Sequence, residues 1–527
     1  MNQTASPSPA SRPNILLITS DQHRADCFGF EGRRRVNTPN LDKLAQSGTR
    51  FSTAITPNVV CQPSRASILT GLLPLTHGAY DNHVNLDPQI AERGWSRTLA
   101  SAGYRSGFIG KAHFGEHSGA TIYGAPESRD ASAGFPTDWS GPYMGFDEVE
   151  LMILGHWHKY LPCEEPPRGH HFERWFWGHG EHGEAWRLWS EAIGPRPMAA
   201  QTWTSALPAQ WHSTTWVTQQ TQAFLQNQDA AQPFCLWASF PDPHHSFDCP
   251  LPWADHYHAD DVDISTTHAR DLDKRPWWHR ASLESMPTPK SEKVLVLRQE
   301  YSRLAPQTDR QLAEMTANYY GMISFIDDGV GKILATLKSS GLADNTIVIF
   351  TSDHGELLGD HGLYLKGPTH YESLLRVGLV ASGPGIASGA VVSEPVSTLD
   401  LAPTILEAAQ VDIPDAMQGQ SLIPLLAGKD QTRDFAYNEW NMHPSRTGVS
   451  LELRTVRTKM AKLTIDQMSG AGELYDLAND PDEMINRFDD PGFAVIQKEL
   501  MQMIASRPGA MLETLPCHGQ ESPNASV

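Results

Sequence analysis

The sequence predicts an α/β sandwich built on a large, mixed but mostly parallel sheet, with a smaller C-terminal domain carrying a short antiparallel sheet. Short continuous apolar runs recur along the chain up to about residue 428, as strands buried on both faces require. Segments of helical periodicity separate them, and such alternation places helices on both sides of a parallel sheet. Beyond residue 428 the alternation stops, and short strand-like runs follow one another directly.

The first run is Asn14–Ser20 (NILLITS), ending in Asp21. Similar runs lie at 107–110, Phe234–Phe240, Thr346–Ser352 and 377–381. Met322, Ile326, Val330, Ile333 and Leu337 recur every three or four residues, with Gly341 as a stop, which predicts a helix leading into the run at 346. In open α/β sheets the ligand site lies beyond the carboxyl ends of the strands, so Asp21, Lys111, His244 and Asp353 are the first polar residues to consider. Residues 118–210 are rich in Trp, His, Gly and Pro, with Trp175, Trp177, Trp186 and Trp189 close together, and read as an insertion or lid. Candidate strands at 435–440, 451–456 and 460–465, then a helix at 493–505, define the smaller domain. The expected organisation is a tail at 1–11, a catalytic domain at 12–428, a C-terminal subdomain at 429–507 and a tail at 508–527.

With 527 residues the chain can bury an enzyme-sized core. Its 41 basic and 61 acidic side chains give a net charge of −20, which argues against nucleic-acid or anionic-lipid partners. An anionic substrate must then be drawn in by local cations or a metal. No apolar run serves as a signal-peptide core or reaches bilayer length, so the expected location is cytoplasmic. Cys27, Cys61, Cys163, Cys235, Cys249 and Cys517 are scattered, with neither zinc-site spacing nor disulfide density.

Cys61-Gln62-Pro63-Ser64-Arg65 is the sharpest motif, followed by a helix-like ASILTG. Pro63 suits a helix start. A nucleophile there would face the unpaired N–H groups and positive end of the helix, a natural anion site, and Arg65 falls on the same face. Against this stands the ordinary fate of a lone cysteine, burial as a small hydrophobe. Asp21 and the pair Asp353-His354 offer oxygen and imidazole donors suited to a divalent cation. Lys111 and His113 after one strand, and His244 after another, add cationic or titrating groups.

Together these features resemble the formylglycine-dependent sulfatases of the alkaline phosphatase-like superfamily, on the side of the choline sulfatases and phosphonate monoester hydrolases. The resemblance spans nearly the whole chain: Arg12-Pro13-Asn14 with Asp21-Gln22, NTPNLDKLAQSG from Asn37, the Cys61 motif through His77-Gly78, Gly110-Lys111-Ala112-His113, Pro243-His244, TSDHG from Thr351, DLAPTIL from Asp400 and ELYDLANDP from Glu473. It implies an alkaline phosphatase-like α/β/α sandwich and hydrolysis of aryl or alkyl sulfate monoesters to alcohol and sulfate. It also implies a small-molecule sulfate ester as partner, and a maturation enzyme that oxidises Cys61 to formylglycine. By the same resemblance Asp21, Gln22, Cys61, Asp353 and His354 surround one divalent metal. Many members carry Asp-Asp and Asp-Asn where this chain has Asp21-Gln22 and Asp353-His354. Calcium is the family's usual ion, and the imidazole makes manganese a competitor. The resemblance assigns Lys111, Lys366 and Arg65 to sulfate oxygens, His113 to the base that releases sulfate, and His244 to the proton donor for the leaving group. Asn82 is implied to line the sulfate pocket. Glu356, Asp360 and His361 are candidates for fixing the metal ligands.

Two rivals remain at this level. The same site could cleave a phosphonate monoester or phosphodiester, although Lys111 and His113 favour sulfate. Alternatively, a binding protein could keep Cys61 as a thiol, distinguishable by mass because the aldehyde is about 18 Da lighter. Trp277-Trp278 and the Trp-rich segment suggest an apolar pocket wall. Oligomeric state, homo-oligomer included, is left open.

Overall fold

In the computed structural model of the chain, which describes residues 12–82, 84–115, 126–132, 134–153, 165, 169–181, 183–195, 197, 199–285 and 306–509, strand β1 (Asn14–Ser20) lies near the middle of an eight-stranded sheet. The other strands are β2 (Thr49–Phe51), β3 (Arg105–Gly110), β4 (Glu148–Leu151), β5 (Phe234–Phe240), β6 (Thr346–Ser352), β7 (Leu379–Ser382) and β8 (Ala390–Val392). Their spatial order is β8-β2-β7-β6-β1-β5-β3-β4. All run parallel except β7, which is antiparallel to both β6 and β2. The run at 377–381 is therefore a strand, but not one of the parallel set. Its connection from β6 carries no long crossover helix, just a 3-10 turn at Asp360–Gly362 and the short helix Glu372–Leu375, so the chain re-enters the sheet from the end at which it left.

Burial on both faces explains the unbroken apolar runs. Ile15 and Leu17 of β1 pack with helices α2 (Cys61–Thr70), α3 (Trp95–Ser101) and α6 (Leu401–Ala408) on one side. Leu16 and Ile18 pack with α1 (Pro39–Ser47), α4 (Ser213–Gln226) and α5 (Asp309–Ser339) on the other. Each such side chain stabilises the fold by roughly 1.5–3 kcal/mol relative to exposure. Helix α5 buries the expected Ile326, Val330, Ile333 and Leu337. Its first turn is closed by a reciprocal Thr308–Gln311 capping box, and Gly341 follows its end with φ 71°.

The smaller sheet holds β9 (Ala436–Met442), β10 (Leu451–Arg457), β11 (Ala461–Asp466) and β12 (Gly472–Asp476), each antiparallel to the next. Helix α7 (Ala494–Ala505) packs Leu500 and Ile504 on Val456, Leu463 and Leu474 of that sheet. The fourth strand falls in the ELYDLANDP stretch, where no strand was expected. Strand β9 braces the loop before Cys61: the Glu439 N–H donates to Pro57 O at 3.0 Å, and Asn58 Nδ2 donates to Glu439 O at 2.7 Å.

The described part of 118–210 contributes to the core. Phe172, Phe176, Ala185 and Trp189 are buried with Trp216 of α4, and Trp175 and Trp186 pack against them. These indoles are core rather than a pocket wall. Trp278 is also buried, its Nε1–H donating to Pro368 O at 2.8 Å, whereas Trp277 is 46% exposed. His171 is a packing residue, bonded to the Leu151 N–H and Trp139 O. His156, His158, His182, Cys163, Cys517 and the tail at 1–11 lie outside the described residues, as does the other tail from 510 onward. Among the described residues no helix is long and apolar enough to cross a membrane.

Candidate active site

The carboxyl ends of four neighbouring strands deliver the site. In-register pairing of β1 with β6 sets Ser20 beside Ser352, which brings Asp21 next to Asp353 although 332 residues separate them. Pairing of β3 with β5 sets Gly110 beside Ser239 and carries Lys111 to the same edge. Gly110 has φ 109°, and a Cβ there would stand 1.9 Å from Ser239 O, so only glycine lets the two strand ends approach. A Cβ on Gly355 would meet Ser373 O at 1.9 Å, which keeps the turn after His354 equally tight.

Cys61 is the first residue of α2, a helix buried along its whole length. The helix starts earlier than the ASILTG run suggested, because the preceding loop is pinned from three sides. Asn58 Oδ1 accepts the Val60 N–H at 3.0 Å, Thr56 Oγ1 donates to Ser64 Oγ at 2.8 Å, and Ser64 Oγ donates to Asp353 O at 2.7 Å. Gly71 closes the other end in the left-handed region. The ligand atoms of Asp21, Cys61, Asp353 and His354 all lie within 4.8 Å of one another, and all four residues are buried. Cys61 Sγ is 3.1 Å from His354 Nε2 and 3.7 Å from Asp21 Oδ1. His354 Nδ1 stands 2.8 Å from Gly355 O, an acceptor only, so Nδ1 carries the proton and Nε2 faces the cluster.

Three cations surround these ligands. Lys366 Nζ lies 2.8 Å from Cys61 Sγ, 3.2 Å from His354 Nε2 and 3.1 Å from His244 Nε2. Lys111 Nζ contacts Asp21 Oδ2 and stands 4.0 Å from Cys61 Sγ. Arg65 is fully buried: Nε donates to Asp353 Oδ2 at 2.9 Å, Nη2 reaches Asp21 Oδ2 at 3.4 Å, and Nη1 donates to Lys111 O and Ser239 Oγ at 2.7 Å. Its donors therefore orient the two carboxylates instead of pointing at an incoming sulfate. Burial would raise the pKa of Asp21, but Lys111 and Arg65 outweigh it and hold the carboxyl well below its usual range. Burial and Asp21 push the Cys61 thiol up, yet Lys111, Lys366 and His354 bring its net shift downward.

Other expected site residues take different positions. The side chain of Gln22 turns to Glu356 and to His245 Nδ1, and only its backbone N–H, donating to Asp353 Oδ1 at 3.0 Å, supports the ligand cluster. Asn82 Oδ1 accepts the Gln62 N–H at 3.0 Å and so caps α2. His244 Nδ1 faces the carbonyl of His245 and carries the proton, leaving Nε2 to accept from Lys366. Burial, then the charges of His245, Lys366 and Lys111, push its pKa well below the ordinary histidine value. A proton donor for the leaving group was expected there. Glu356 does brace the site through Gln22, but Asp360 pairs with Arg24 at 2.9 Å and His361 stacks on Tyr371, both turned elsewhere.

Glu127 was not visible in the sequence, where it is one more glutamate in a Trp- and His-rich stretch. Its buried carboxylate accepts the His113 N–H, the Phe114 N–H at 2.8 Å, the Gly115 N–H at 2.9 Å and the Tyr143 hydroxyl at 2.7 Å. His113 sits at φ 56°, a left-handed conformation that a non-glycine residue holds only when its surroundings enforce it. Ser239, the bridge between Arg65 and Lys111, was likewise hidden inside an apolar run.

Comparison with known proteins agrees with this architecture. A family model described as "Sulfatase" matches residues 13–411, and one described as "N-sulphoglucosamine sulphohydrolase, C-terminal" matches residues 359–508. An arylsulfatase of Clostridium perfringens (strain 13 / Type A) is 29% identical over 484 residues, covering 90% of each chain. A choline-sulfatase of Rhizobium meliloti (strain 1021) is 26% identical, covering 93% of this chain and 85% of that one. The solved phosphonate monoester hydrolase of Silicibacter pomeroyi superposes with a TM-score of 0.75 at 25% identity, over 96% of this chain and 97% of that one.

Proposed function

The chain belongs to the sulfatase family and is a sulfuric ester hydrolase, and from that premise we propose that it cleaves aryl or alkyl sulfate monoesters at residue 61 after oxidation of Cys61 to formylglycine. The observation that carries the reading is the position of Cys61: at the N-terminus of α2, inside the Asp21–Asp353–His354 ligand cluster, with Lys366 Nζ at 2.8 Å. A hydrated aldehyde there supplies two hydroxyls on one carbon, one to attack sulfur and one to drive release of sulfate. Oxidation requires a separate maturation enzyme.

The residues fit a divalent cation. Two carboxylates and an imidazole with Nε2 facing inward are a suitable donor set for a divalent cation, Ca2+ as the family's usual ion with Mn2+ admitted by the imidazole. Asp21, Asp353 and His354 would hold it, and it would lower the pKa of a nearby hydroxyl and neutralise sulfate charge. Arg65 keeps both carboxylates aimed inward. Lys111 and Lys366 face the space over Cys61 and hold sulfate oxygens by charge-assisted hydrogen bonds. Lys366 also leans on His244 Nε2, so the proton for the leaving oxygen passes through this pair, with the neutral His244 ring as its acceptor partner. His113, held by Glu127, serves as the base in sulfate release.

The likeness to a phosphonate monoester hydrolase supports a second reading, cleavage of phosphonate monoesters or phosphodiesters at the same site. Lys111 and His113 weigh toward sulfate. Parallel turnover of an aryl sulfate, an alkyl sulfate and a phenylphosphonate ester by protein co-expressed with a maturation enzyme ranks the two. The sulfate reading requires a higher kcat/KM on a sulfate ester, an active-site peptide lighter by about 18 Da, and loss of turnover in Cys61→Ala. Unchanged turnover in Cys61→Ala ends it.

A further inference from the structure

The gene encodes a thiol at residue 61, and a thiol makes this a different metal centre. We propose that the unconverted protein binds a thiophilic divalent cation of the zinc type through Cys61 Sγ, His354 Nε2, Asp21 and Asp353, and that this ion seals the cysteine. The inference rests on the metal centre of the proposed function but concerns the other chemical form of residue 61.

Geometry and donor type both support it. With zinc-ligand distances of about 2.3 Å to sulfur and about 2.0–2.1 Å to nitrogen and oxygen, the edges of a tetrahedral cage are about 3.4–3.6 Å. The measured edges are 3.1 Å from Cys61 Sγ to His354 Nε2, 3.7 Å from Sγ to Asp21 Oδ1, and 3.8 and 3.9 Å from His354 Nε2 to Asp21 Oδ1 and Asp353 Oδ1. These four of the six edges lie within about half an ångström of those values, and the other two, from Asp353 to Cys61 and to Asp21, are no longer than 4.8 Å. One sulfur, one imidazole and two carboxylates form a borderline-soft set suited to zinc, whereas calcium takes oxygen ligands. His354, beside Asp353 at the end of β6, contributes the nitrogen donor to this preference.

Charge acts in the same direction. Arg65, Lys111 and Lys366 are offset only in part by Asp21 and Asp353, and a thiolate adds the third anion that an aldehyde lacks. On binding, the S–H bond of Cys61 breaks, a sulfur–metal bond forms and the proton passes to solvent, with no redox change. Lys366 can keep its hydrogen bond to the metal-bound sulfur, as partners of ligating atoms do. Cys61 is 1% exposed, so a bound ion would leave no path for an electrophile to its sulfur. Conversion to the aldehyde must then precede loading with such a metal.

The test uses full-length protein made without a maturation enzyme, its intact thiol verified by mass, with Co2+ as the spectroscopic probe. One equivalent is expected to produce an intense near-ultraviolet sulfur-to-cobalt absorption, and Zn2+ is expected to suppress iodoacetamide labelling of the Cys61 peptide. Cys61→Ser is expected to lose the absorption. If that variant fails to fold, formylglycine-bearing wild type provides the same comparison and must also lack it. Bound Co2+ without the absorption, an absorption that survives in either comparison protein, or labelling indifferent to Zn2+ overturns the proposal. Aryl sulfate turnover by converted protein separates the two ideas. Turnover without a sulfur–cobalt band in the thiol form sinks this inference alone, and a band without turnover sinks the sulfatase mechanism alone.

Discussion

Replacing Glu127 with glutamine tests whether the loop that bears Lys111 and His113 is held by a carboxylate. Glu127 Oε2 receives Phe114 N–H, Gly115 N–H and Tyr143 O–H, and Oε1 receives His113 N–H. A glutamine can place its oxygen where three donors converge, but its amide N–H2 then faces the His113 N–H. One bond to a charged group is lost, about 1.5–3 kcal/mol, and a buried donor is stranded, so the change costs on the order of 2–4 kcal/mol. Relief comes from release of His113 from φ 56°, which shifts its ring. A displacement near 1 Å in a positioned catalytic group lowers kcat by about 100-fold. The assay pairs urea unfolding with steady-state kinetics on an aryl sulfate, and metal content is checked to be unchanged. Burial raises the pKa of Glu127 and so favours the neutral acid, which glutamine mimics closely. A variant with wild-type kcat and an unshifted unfolding midpoint would therefore refute the ionised clamp.

Lys366→Met keeps the bulk of the side chain but removes the ammonium between residue 61 and His244, and is expected to lower kcat about 10²–10³-fold with a smaller change in KM. A change confined to KM would assign Lys366 to ground-state binding alone. Arg65→Met leaves the buried Asp353 without its guanidinium and Asp21 with Lys111 alone, and should destabilise the metal-free protein by roughly 3–5 kcal/mol in denaturant unfolding. A loss below about 0.5 kcal/mol would mean that the pair is offset elsewhere. Glu473 gives a pH signature: burial would raise it, but His279 and Lys462 hold it down at about 2 against an ordinary value of 4.5. A depressed acid contributes its stability above the unfolded-state value and loses it as pH falls through the folded one. About 3 kcal/mol should therefore disappear between pH 4.5 and 2, and Glu473→Gln should flatten that limb. An identical acid limb in the variant would contradict the assignment.

Local patterning made much of this protein legible. The runs at Asn14–Ser20, Phe234–Phe240 and Thr346–Ser352 are strands with those bounds, because burial on both faces fills their centres with apolar residues. Since the pocket of such a sheet lies at its carboxyl edge, the polar residues just after the runs could be picked out before any contact was known, and Asp21, Lys111, His244 and Asp353 do meet near Cys61. The direction of β7 was not legible, because it depends on the path between strands rather than on the strand itself.

Side-chain partnership belongs to the tertiary structure alone. Residues 21 and 353 face each other through the register of β1 on β6, and nothing local to either segment encodes that pairing. The same holds for Arg65, whose charge suggested an anion but whose four acceptors come from four distant strand ends. It holds for Gln22 and Asn82, turned onto Glu356 and the α2 backbone, and for Glu127, ordinary in sequence and central in space. Composition and periodicity record how deeply a residue is buried, whereas a hydrogen bond needs two groups within about 3 Å, a condition set only when the sheet closes its register.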